Sequence, residues 1–244
     1  MHKELPTLVT IIAEAFHSAP WSGHLLVWQN LIYALFVVFI LAIIAIAAAS
    51  KHSLIPGRLQ GAVEVYIGTI DDFVCGILGP SGRRFVPFIG TLFIYILFMN
   101  LIGLVPFMRS ATSSLSTTLA LALCVFIYVH FSAIKELGFL GYLDHLMGKP
   151  RGIVAISVIL PLFMLFMHIV SELIKPVSLS LRLRSNIFAD DMLLAALSGF
   201  GLKGLPFLFF SMFIVVIAAV VQAVVFSLLS TIYFAIFLVH DEEH

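Results

Sequence analysis

Two apolar runs near the C-terminal end are too long for the membrane they imply. Residues 153–199 carry no convincing stop, only Pro161 and Pro176. As a helix at 1.5 Å per residue that run would reach about 70 Å. Residues 205–239 form a second run, about 50 Å long as a helix, against a hydrocarbon core about 30 Å thick. Neither divides naturally into two spans. The geometry that accommodates both is a pair of strongly tilted helices joined by a short turn over 198–204. Spanning helices lean by about 20° on average, so tilt of this size calls for a partner surface.

The remainder is equally lipid-like. The chain is 61% hydrophobic and 11% charged, where a soluble domain carries about 25% charged residues. Three more runs, 27–49, 85–107 and 115–134, suit upright membrane helices. Trp21 and Trp28 flank the first, as interfacial aromatics do. The third is entered through a hydroxyl-rich stretch, SATSSLSTT, whose side chains can bond their own helix carbonyls. Residues 56–79 are too polar to span and read as an amphipathic interfacial helix; 137–147 form a second interfacial segment after the stop at Lys135-Glu136. The fold expected is an all-α polytopic membrane protein of one domain with about five membrane helices. Residues 1–26 form an external segment that lacks the basic start of a cleaved signal peptide. With five passes, Lys51, Arg58, Arg83, Arg84, Lys135, Lys149 and Arg151 share one side against Lys3, Arg109 and Lys203 on the other. That bias puts the N-terminus outside and the tail Asp241-Glu242-Glu243-His244 inside. No basic run suggests nucleic acid. Cys75 and Cys124 have no metal or redox spacing and read as small apolar filler.

Charges concentrate where they are most costly. SELIKPVSLSLRLRSNIFADD, residues 171–191, lies within the first over-long run. A guanidinium in such a setting costs about 3 kcal/mol or more unless something in the membrane uses it. With Arg182 at zero and about 100° per residue, Lys175 falls at about 20°, His168 and Asn186 at about 40°, Glu172 and Asp190 at about 80° and Ser178 at about −40°. One face of an apolar helix therefore carries a polar stripe about six turns long, which lines water, protein or an ion path. Arg184 and Asp191 fall on the opposite face, where they pair through a bridging group or face a second polar space. Ser211, Gln222 and Tyr233 recur at eleven-residue intervals on the last run and share one line. Gln222, its sole amide, is expected to meet a polar group on the preceding helix. Structural roles compete at several positions: Lys175 snorkelling to an interface, Glu172 with His168 as an internal pair, Asp190 and Asp191 as helix-end charges, His130 as an interface histidine. A transporter with Arg182 binding an anion is a further alternative, but no internal repeat is visible.

KPVSLSLRLRSN, from Lys175 to Asn186, resembles the signature KPVSLxLRLFGN of subunit a of F-type ATP synthases. NLIGLVP (100–106), STTLALAL (116–123) and the end QAVVFSLLSTIYFAIFLVHDEEH are similar to the same family. The resemblance runs from about residue 25 to the end. It implies one upright helix, an amphipathic segment, a two-span hairpin and two long, nearly horizontal helices against a ring of c subunits. Arg182 matches the essential arginine that faces the ring carboxylate and separates two proton half-channels. Asn186 matches the asparagine after it, Asp191 an acidic position of the outer half-channel, Gln222 the glutamine facing the arginine, and Tyr233 an aromatic of that helix. His168 matches a position that is acidic in some relatives, and here the acid comes one turn later, at Glu172. Asp190, Asp191, Asn186 and Gln222 are thereby expected on the outer path; Glu172, His168 and Lys175 suit the inner one. The resemblance further implies a non-catalytic subunit without cofactor or metal, partnered by a c-ring, b-type peripheral stalk subunits and the rest of an ATP synthase, in the bacterial inner membrane. Arg184 and Ser185 depart from the family's Phe or Tyr and Gly or Ala; Ser114 and Ser116 stand where many bacterial members have Asp and Asn, and Val215 where some have a channel His or Glu.

Overall fold

The computed structural model describes residue 10 and residues 22–50, 57–105, 108, 110–147 and 156–238, with backbone alone at 22–27, 144–146, 156–161, 198, 202–203 and 238. The external segment 1–26 thus lies almost wholly outside the described residues, as do Trp21, Lys51, Arg109, Lys149, Arg151 and the acidic tail. Six helices carry the fold: α1 (Ser22–Ala49), α2 (Arg58–Leu78), α3 (Val86–Leu101), α4 (Leu115–Met147), α5 (Ile156–Ser198) and α6 (Leu205–Leu238), with no strand among the described residues. Five segments, all but α2, are long and apolar enough to cross a membrane. The protein is a multi-pass, all-helical membrane protein.

α2 behaves as its mixed composition dictates. Ile70, Val74 and Leu78 are buried, while Val65 and Ile67 on another face are 70% and 53% exposed. Tyr66 Oη donates to the Gly90 carbonyl at 2.6 Å and so ties α2 to α3; burial pushes the phenol up to about 12. Asp71 accepts from Arg83 at 2.9 and 3.3 Å across the turn. Gly79 ends the helix at φ 71°, a conformation open to Gly and strained for residues with a Cβ.

Two expected boundaries move. The span over 85–107 is no single helix: a 3-10 turn, Pro80–Phe85, leads into α3, and a second, Ile102–Leu104, closes it. Pro87 in the first turn sets the start. At the exit Gly103 approaches Ser110 so closely that an added Cβ would lie 3.1 Å from the Ser110 Cβ. The second correction is in α4, which does not stop at Lys135-Glu136. It bends at Gly138 (φ 71°, ψ 162°) and resumes to Met147, so residues 137–147 belong to the same helix beyond the kink.

Ile89, Ile96, Val125, Val129, Leu183, Phe226 and Phe234 form the core. Phe85 stacks on Phe234 and Phe88 on Tyr128, each at 4.4 Å between ring centroids. In lipid such close packing supplies the dispersion that hydrophobic exclusion does not. α5 and α6 run antiparallel after the turn Gly201–Gly204. A Cβ on Gly204 would sit 2.6 Å from the Leu197 carbonyl oxygen, which is why the turn closes on glycine.

Candidate functional site

The seam of the α5–α6 hairpin places the polar residues. Ser211 and Gln222, eleven residues apart, are both buried, with Val215 and Ala219 between them. Small residues on that line let the backbones approach. Asn186 Nδ2 donates to Gln222 Oε1, so the amide of α6 meets a polar group on α5. Eleven residues earlier on α5, the Lys175 ammonium lies 5.1 Å from the Tyr233 ring and 5.8 Å from the Phe237 ring. Asn186 with Gln222 and Lys175 with Tyr233 fix one antiparallel register. Gln222 Nε2 remains buried without a partner, an arrangement that costs about 1–3 kcal/mol unless another group or water meets it.

Arg182 lies midway along this seam but faces outward. Its neighbour Leu183 is fully buried, whereas Arg182, Ser178, Ser185, Asn186 and Ala189 are exposed on the opposite side. Around them Leu181, Phe188, Val220, Val221 and Val224 are 40–55% exposed. Among the described residues Arg182 makes no ion pair with any carboxylate, Glu172 and Asp190 included. A permanently charged guanidinium thus stands on an apolar face that the other described residues leave uncovered. Asp190 and Asp191 are half-buried further along α5. Arg184 is half-buried, and among the described residues no ion pair joins it to Asp191.

The stripe drawn on α5 does not stay on one surface. Glu172 is turned into the protein, 8% exposed. Lys175 Nζ donates to its Oε1, and His130 Nε2 of α4 stands 3.7 Å from its Oε2. His168, by contrast, is exposed, with Nδ1 3.0 Å from the Met164 carbonyl oxygen, and does not pair with Glu172. A cavity of about 260 Å³ is bordered by Phe126, His130, Tyr142, Ile169, Glu172 and Leu173. A separate void of about 10 Å³ is bordered by Glu172, Lys175, Leu179 and Tyr233, among others. His130 and Tyr142 are the residues that projection of a single helix misses, since both belong to α4.

A second polar nest lies at the other end of α3. Ser110 Oγ donates to the Met99 carbonyl at 2.8 Å, and Thr112 Oγ1 donates to Asn100 Oδ1 at 3.0 Å. Asn100 Nδ2 is buried without a partner. The turn Ala111–Ser113 that carries this nest packs against α5.

Residues 31–235 match a family described as ATP synthase A chain. The chain is 35% identical over 239 residues to ATP synthase subunit a of Protochlamydia amoebophila, covering 94% of this chain and 88% of that protein. It is 38% identical over 205 residues to ATP synthase subunit a of Solidesulfovibrio magneticus, covering 84% and 82%. It is 34% identical over 223 residues to the protein of that name from Aquifex aeolicus, covering 88% and 99%.

Proposed function

This chain belongs to the ATP synthase A chain family, and on that premise we propose that it couples proton flow to rotation of a c-ring as the non-catalytic membrane stator of an F-type ATP synthase. The observation that carries the reading is Arg182, exposed and without an ion pair among the described residues on an uncovered apolar face. Such a cation is costly facing lipid and useful facing a carboxylate.

Each ring subunit would present one carboxylate. Facing lipid it must be protonated, because an isolated anion in a low dielectric is prohibitively unfavourable. Facing Arg182 it ionises, since a nearby cation favours the charged form. A proton from outside neutralises one carboxylate, which then moves into lipid; another returns from lipid and releases its proton inward. Arg182 keeps the two half-channels apart, because a fixed positive charge repels protons passing straight through. Asn186, Asp190, Asp191 and Gln222 form the outer path, with the unpartnered Gln222 Nε2 available to water. Glu172, Lys175 and His168 lie on the inner side, and Tyr233 caps Lys175. The excess length of α5 and α6 is taken up by tilt against the ring. A b-type peripheral stalk holds the subunit still in the bacterial inner membrane, with its N-terminus outside.

Arg182→Ala tests this directly. In membrane vesicles holding the assembled complex, proton-driven ATP synthesis falls below detection while hydrolysis by the detached catalytic head persists. Synthesis at the parental rate would refute the assignment.

A further inference from the structure

Glu172 is the one buried carboxylate among the described residues, and its two oxygens differ. Oε1 is held by the Lys175 ammonium. Oε2 faces His130 Nε2 across 3.7 Å. The opposite ring nitrogen, Nδ1, lies 2.9 Å from the Phe126 carbonyl oxygen. A carbonyl only accepts, so Nδ1 carries the hydrogen there. In a neutral imidazole Nε2 is then an acceptor, and so is an ionised Oε2. Two acceptors aimed at each other through a buried site are stable only with a proton or a water between them.

The surroundings give that proton somewhere to go. The cavity of about 260 Å³ touches both Glu172 and His130 and is bordered by Tyr142, room enough for several waters with polar partners. The kink at Gly138 turns the chain so that the Tyr142 ring lies 6.0 Å from the His130 ring. On its other sides the imidazole is packed against Phe126 at 3.9 Å and Phe237 at 5.7 Å between centroids. The described titratable groups around it are Glu172 and Lys175 from α5, Tyr142 beyond the kink, and Tyr233 from α6 behind Lys175.

We infer that His130 relays protons between Glu172 Oε2 and water in the cavity beside Tyr142, so that the inner path leaves the hairpin between α4 and α5. The inference rests on the proton-path reading above. A proton on Oε2 passes to Nε2, leaving a carboxylate paired with Lys175 and an imidazolium still bonded through Nδ1 to Phe126. The imidazolium then loses the Nε2 proton to cavity water and returns to its starting tautomer. No other bond changes.

The test uses the whole complex in native membranes, with passive proton conduction measured after removal of the catalytic head and normalised to the assembled subunit. His130→Gln keeps a polar side chain of similar reach but cannot carry the proton. Conduction is expected to fall by about tenfold or more and to lose its dependence on inner-side pH across the histidine range, about 5 to 8, with the outer-side dependence unchanged. Leu173→Trp, which fills the cavity from a partly exposed position, is expected to slow conduction likewise. Conduction within about twofold of the parent, with an unaltered inner-side pH profile, in either variant overturns the relay. The two readings fail separately: an Arg182→Ala complex that still synthesises ATP removes the functional assignment, whereas normal conduction in His130→Gln beside an uncoupled Arg182→Ala removes only the relay.

Discussion

Arg182 and Glu172 sit ten residues apart on one helix and have opposite fates. The guanidinium is exposed on an uncovered face; the carboxylate is inside, held by Lys175 and approached by His130. A buried carboxylate deprived of its cation is costly, because the Coulombic and hydrogen-bonding return vanishes while the desolvation remains. Lys175→Met therefore destabilises the hairpin by about 3 kcal/mol. Adding Glu172→Gln to the same chain recovers most of that, since a neutral amide needs no countercharge. Thermal inactivation midpoints of the purified complex check both; a double variant no better than the single one would mean that Lys175 serves some other group. Helical projection placed Glu172 and Lys175 near Arg182 in angle and was silent on what each meets. The missing information is the neighbour: α4 supplies His130 where Glu172 lies, and none of the described residues covers the face at Arg182.

Among the elements, α2 shows how a polar segment is fastened beside apolar ones. The Arg83 guanidinium, bonded to both oxygens of Asp71, holds that carboxyl below its ordinary value. A depressed acid contributes its full stabilisation above the unfolded value, near 4, and loses it as the pH falls through the lower folded value. Amide protection over residues 79–86 is thus expected to hold from neutral pH down to the unfolded carboxylate value, near 4, and to decline as the pH falls below it. In Asp71→Asn protection is low throughout, and a parental profile in that variant would mean that the clasp does not hold the turn. The long elements were legible because uninterrupted apolar length leaves few alternatives to a membrane helix. Their interruptions were less so. Gly138 turns α4 through a positive φ, yet a glycine inside an apolar helix reads equally well as a packing residue. Pro87 and Gly103 shorten α3 to Val86–Leu101, although the apolar run itself extends past both. The Asn186–Gln222 bond was foreseeable, since a lone amide on an apolar helix needs a partner. The His130–Glu172 approach was not, because no periodicity within one helix encodes which side of another it meets.

For the whole molecule the decisive question is direction, since an outer and an inner path mean nothing without it. The fold fixes relative sides. With one membrane crossing between each pair of ends, the turn after α5 and the end of α1 fall on opposite faces. The excess of Lys and Arg at the α1–α2–α3 and α4–α5 connections predicts that the first face lies outside. A labelling experiment reads this without reference to activity. In a chain whose Cys75 and Cys124 are replaced by alanine, Phe200→Cys places a thiol at a position 69% exposed in the hairpin turn, and Ser50→Cys places one at the exposed end of α1. In intact cells a membrane-impermeant maleimide labels Cys at 200 and spares Cys at 50 until the membrane is permeabilised. The reverse result would invert every path assignment along α5: Glu172, His130 and the cavity beside Tyr142 would become the entrance, and Asn186 with Gln222 the exit. The barrier proposed at Arg182 would stand unchanged, because a fixed positive charge repels protons whichever way they run.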